Sequence, residues 1–84
     1  MKGFSLENKK KYDEVFMESF SVSSEELNSE LKYDSIPEWD SVGHMNMVSA
    51  LEDAFDIVLD MDDIIDFSSF EKGKEILKKY KVDL

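Results

Sequence analysis

A chain of 84 residues with 10 basic and 20 acidic side chains, a formal net charge of -10 and no cysteine is one domain, near the small end for a core without staples. The missing thiols exclude disulfides and thiolate metal centres, and the charge disfavours nucleic acid and anionic membranes while favouring basic partners. No apolar run is long enough to span a bilayer, and Met1–Phe4 is too short and too polar for a leader, so the expectation is a cytoplasmic monomer without membrane insertion.

Taken in order, the first element is an amphipathic helix from about Ser5 to Phe20, because Tyr12, Val15, Phe16 and Ser19 share one side with Phe20 beside them. Lys9 with Asp13 and Lys10 with Glu14 have the i,i+4 spacing of weak surface pairs. The Lys9-Lys10-Lys11 run reads as helix surface, since aromatic interleaving and further basic residues are missing. Ser21 to Asp40 is a long connection containing Pro37. Ser23 and Glu26 have capping-box spacing, which predicts a turn or two over Ser24–Ser29. Leu27, Leu31, Tyr33, Ile36 and Trp39 are expected to tie this loop to the bundle, with Trp39 a packing anchor rather than a partner contact.

Glu38 to His44 organises the rest of the chain. Asp40 and Ser41 are helix-opening residues, whose side-chain oxygens accept from backbone N–H groups that lack partners in a first turn. A helix start also favours phosphate through its dipole and free N–H groups. The helix they open, Ser41 to about Phe55, presents a core stripe of Met47, Val48, Leu51, Ala54 and Phe55 at roughly 100° per residue. Its opposite face groups Val42, Met45, Asn46, Ser49, Asp53 and Asp56, apolar near the start and acidic near the end, which is the mix expected of a contact surface. No Lys or Arg lies between Lys32 and Lys72, whereas Asp34, Glu38, Asp40, Glu52, Asp53, Asp56, Asp60, Asp62, Asp63 and Asp66 all do. His44 falls on the inner side near the helix start, either as a hydrogen-bonded structural residue or at the mouth of a pocket beneath Ser41. A hydrolytic triad of Asp40, Ser41 and His44 is rejected, because residues this close along one helix start are poorly placed for a Ser–His–Asp line with an oxyanion hole.

Ile57–Leu59 leave the helix as a loop. Ile64, Ile65 and Phe67 among Asp60, Asp62, Asp63 and Asp66 predict a short third helix over about Asp62–Asp66. These acids do not fit an EF-hand, and no metal site is expected. Ser68 and Glu71 have capping-box spacing, opening a last helix from about Ser69 to Lys79 with Ile76, Leu77 and Tyr80 inward. Gly73 weakens it, and Lys78 and Lys79 suit its C-terminal dipole. Met45, Met47 and Met61 fill gaps or line an adaptable interior, and the residue type does not distinguish the two. The fold class is all-α: a small four-helix bundle of three main helices and a short third, with a long first loop.

Asp40-Ser41-Val42, with Leu51-Glu52 and Phe55-Asp56-Ile57 at their spacing, resembles the acyl carrier protein signature, over roughly Phe4 to Tyr80. The resemblance implies that Ser41 is the attachment site of 4′-phosphopantetheine, placed there by a phosphopantetheinyl transferase using Mg²⁺ and coenzyme A, with Asp40 and Val42 as motif support. It implies a carrier that is a substrate of other enzymes and not itself an enzyme. An acyl-loading ligase or transferase and downstream acyl-transfer enzymes would dock through basic surfaces on the face of Val42, Met45, Asn46, Ser49, Asp53 and Asp56. The pathway would be fatty acid, polyketide, surface polysaccharide or other secondary biosynthesis. Asn46 stands where better-studied members tend to have Glu, and Gly43 where an acid is usual. An aminoacyl or peptidyl carrier, or an unmodified acidic helical adaptor, are the alternatives.

Overall fold

The computed structural model of the chain describes residues 2–84, and side chains from residue 7 onward. Of the Met1–Phe4 segment considered above as a leader, Met1 and the side chains after it therefore lie outside the described residues. Four helices follow one another: α1 (Lys2–Phe20), α2 (Ser41–Phe55), α3 (Met61–Asp66) and α4 (Phe70–Lys78), with a single 3-10 turn at Ser24–Glu26. Among the described residues there is no strand, only an isolated antiparallel bridge between Lys32 and Ser69. No described helix is long and apolar enough to cross a membrane. The predicted all-α bundle with a short third helix is what forms.

The i,i+4 spacing of Tyr12, Phe16 and Phe20 puts all three rings on one stripe of α1, which explains why none of them is exposed. Val15 is buried with them and Ser19 sits half-buried at the edge. On the wet side Lys9 pairs with Asp13 at 3.1 Å; Lys10 and Glu14 form no ion pair among those described. The main helix contact is α1 against α2, where Met47, Val48 and Leu51 close the core and Ala54 and Phe55 pack partly against it. Trp39 holds the long loop down, as expected of an anchor: it is fully buried, stacked on Phe20 at 4.7 Å and edge-on to Phe16 at 5.6 Å. Truncating an aromatic so placed costs about 3–5 kcal/mol.

Leu31 is buried and Leu27 and Ile36 are partly so, but Tyr33 is 45% exposed and is no anchor. The loop is held instead by backbone: Tyr33 N–H donates to the Ser68 carbonyl and Phe70 N–H to the Leu31 carbonyl, both at 2.9 Å. That bridge explains a correction at α4. The capping residue is Ser69, whose Oγ accepts from Lys72 N–H at 2.9 Å, and not Ser68, which the bridge holds before the helix. The Ser23–Glu26 cap does form, Ser23 N–H donating to Glu26 Oε1 at 3.0 Å, although it opens only one turn.

Gly73 has a reason beyond propensity. A Cβ there would overlap the Phe67 ring and the Tyr12 hydroxyl, so the missing side chain lets α4 approach the aromatic core. Ile76 and Leu77 are buried as predicted, while Tyr80 is half-buried.

Candidate functional site: the start of α2 and the pocket beside it

Asp40 is the N-cap of α2, extended in backbone, and its Oδ1 accepts from Gly43 N–H at 2.8 Å. Ser41 is thus the first helical residue, and it is exposed. None of the hydrogen bonds found among the described residues engages its hydroxyl. Gly43 follows from geometry: a Cβ there would run into the Glu38 carbonyl oxygen, so the loop before the helix could not fold back as closely over an acid or an alanine. Glycine at position 43 therefore has a local steric cause.

Ser41 lies on the rim of a cavity of ≈ 400 Å³. Its walls are Ser41, His44 and Met45 of α2, Met61, Ile64 and Ile65 of α3, and Tyr33, Phe67 and Ser68 from the segments beside them; no charged side chain lines it. That is the size and character of a small-molecule site. Three of the methionines now separate by role, since Met47 is core filling whereas Met45 and Met61, 50% and 69% exposed, line the pocket.

His44 is 9% exposed at the back of this pocket. Its Nδ1 lies 2.9 Å from Trp39 Nε1 and its Nε2 lies 2.8 Å from the Ile64 carbonyl oxygen. Both ring nitrogens are thus committed away from Ser41, and Asp40 is committed to the cap, so the three do not line up as a triad. His44 is hydrogen-bonded structure, and it lines the pocket as a buried wall residue and not at an open mouth.

Val42, Met45, Asn46, Ser49, Asp53 and Asp56 are all exposed. Asp56 is not in the helix proper but at its C-cap, in a left-handed conformation (φ 54) that Asp tolerates. The acidic surface loses one predicted member. Asp63 is 5% exposed, accepting from Lys79 Nζ at 2.5 Å and from Tyr80 Oη at 2.6 Å. The Lys79 bond holds its carboxyl below the usual carboxylate range, and Lys79 serves this pair in addition to its place at the end of α4. Among the described residues no group of His, Asp or Glu is arranged to hold a metal.

The pocket walls from Tyr33, Met61, Ile64, Ile65, Phe67 and Ser68 were not legible as a site. One signal for them was present: Met61 and Ile65 have i,i+4 spacing in a helix too short to bury both faces, and Ile65 is indeed 71% exposed. No protein-family model, curated protein or solved structure matches this chain.

Proposed function

We propose that this chain is a carrier protein whose Ser41 receives 4′-phosphopantetheine. The observation that carries the reading is an exposed, unengaged hydroxyl at the first residue of a capped helix, opening onto an uncharged, mainly apolar pocket. The local chemistry fits the group: a phosphate on Ser41 would sit at the positive end of α2, and an arm leaving it has an apolar groove alongside.

In the attachment step Ser41 Oγ attacks the β-phosphorus of coenzyme A within a phosphopantetheinyl transferase. The new phosphodiester forms as the bond to the adenosine bisphosphate leaving group breaks, and the hydroxyl proton passes to a base of that enzyme. Asp40, with one oxygen committed to the cap, would have the other to offer the transferase's Mg²⁺. Once attached, the group supplies a thiol that holds acyl chains as thioesters. The chain's own residues then do two things. The Met45, Met61, Ile64 and Ile65 walls shelter an uncharged acyl chain, and the exposed Val42–Asp56 face meets basic docking surfaces of the loading ligase and acyl-transfer enzymes. Tethering raises the effective concentration of the cargo while a small charged face keeps each encounter brief. A pocket without a carboxylate gives no partner to the ammonium of an aminoacyl cargo, which favours the acyl reading over the aminoacyl one.

The test is intact-mass measurement after incubation with coenzyme A, Mg²⁺ and a broad-specificity transferase. The wild type is expected to gain one phosphopantetheine and Ser41→Ala none. No gain in the wild type with several transferases supports the unmodified adaptor instead.

A further inference from the structure

His44 is the one buried imidazole, and nothing in the attachment chemistry uses it. The two bonds it makes determine its state. An indole Nε1 can only donate, so Nδ1 facing Trp39 at 2.9 Å must be the acceptor. Nε2, 2.8 Å from a carbonyl oxygen that can only accept, must therefore carry the proton. Both bonds exist together only for the neutral Nε2–H ring. A proton on Nδ1 would set two N–H groups against each other.

The elements so joined are the long loop, α2 and α3. At its other side α3 is fixed independently, by Asp63 to Lys79 and Tyr80 and by Asp60 N–H donating to Tyr80 Oη at 2.9 Å. In this helix of six residues Met61 and Ile65 face outward, while Ile64 packs partly against the core and the C-cap Phe67 is fully buried in it. The His44–Ile64 bond thus ties the middle of α3 to α2 across the pocket, with the Asp60/Asp63 anchor opposite it and the Tyr33–Ser68 backbone bond closing the segment after α3.

We propose that His44 is a positioning residue, a latch whose tautomer is selected by Trp39 and which holds α3 against α2 as the closing wall of the pocket. Its release lets the Ile64–Ile65 stretch of α3 move away from α2, with the buried Phe67 as the fixed end, and widens the groove. What the latch does for a cargo rests on the carrier reading; the latch itself is a property of the unmodified chain and is measured there, so the two fail separately.

Nitrogen NMR of the unmodified full chain reads the ring directly: a protonated Nε2 and an unprotonated Nδ1 are expected, and the opposite tautomer overturns the proposal. Native-state amide exchange reads the consequence. In His44→Phe, which keeps an aromatic ring and loses both bonds, exchange at Ile65, Asp66 and Phe67 should rise about tenfold relative to α1 and α2, the change expected from one lost buried hydrogen bond. Trp39→Phe should raise the same amides by less, and the double variant should match His44→Phe alone. A uniform rise over all helices, an unchanged α3, or additive effects of the two substitutions would each show a merely structural histidine and overturn the latch.

Discussion

Two glycines set how closely this small core can pack, and each makes a prediction against ordinary expectation. Replacing a glycine inside a helix by alanine should gain about 1 kcal/mol from propensity. At Gly73 the new Cβ meets the buried Phe67 ring and the Tyr12 hydroxyl, and Tyr12 is itself fixed by donating to the Phe70 carbonyl at 2.6 Å. Neither neighbour can yield cheaply, and overpacking of this kind costs about 1–3 kcal/mol. Gly73→Ala is therefore expected to lower the denaturation midpoint; a rise would mean the core relaxes more easily than its packing implies. Gly43→Ala meets backbone, the Glu38 carbonyl, and should displace the segment leading into Ser41. Its expected signature is a loss of stability comparable to that of Gly73→Ala and, on the carrier reading, a slower modification of Ser41.

At the scale of elements, α2 was the most legible, with bounds that agree at both ends, because an Asp-Ser start and an uninterrupted 3.6-residue apolar stripe act in the same direction. The start of α4 was less so: Ser68 and Ser69 both offer a capping hydroxyl, and the choice between them is made by the bridge to Leu31 and Tyr33, far away in sequence. The same is true of Asp63, which one-dimensional reading places among surface acids. Its partners Lys79 and Tyr80 come from beyond α4. Because its folded-state pKa is lowered, the stability it contributes is present above the unfolded carboxylate pKa and is lost as pH falls through the depressed folded value. Asp63→Asn should remove that acid-side component, so that the wild-type and variant melting curves converge at low pH and separate near neutrality. Parallel curves at every pH would show that the pair carries no such linkage.

For the molecule as a whole, charge and apolar surface are sorted. Basic residues lie in the flanking segments, acids crowd the middle of the chain, and of the large apolar side chains exposed among the described residues Tyr33, Met45, Met61 and Ile65 line the pocket with Ser41, whereas Val42 and Val58 do not. The helix face was readable because it lies on one element; the pocket was not, because its walls come from three segments that only folding brings together. On the carrier reading, Asp53→Lys with Asp56→Lys should slow transferase modification about tenfold at low salt, an effect that fades as salt screens it, while circular dichroism stays that of the wild type. Rates unchanged at low salt would remove the docking role from this face.

The most direct measurement is peptide mapping by tandem mass spectrometry of the chain recovered from the cells that make it. The expected result is a peptide spanning Asp40-Ser41-Val42 that carries a phosphodiester-linked pantetheine on Ser41 and releases it on fragmentation. Recovery of Ser41 as a free hydroxyl under every growth condition, or of the group on another residue, would contradict it.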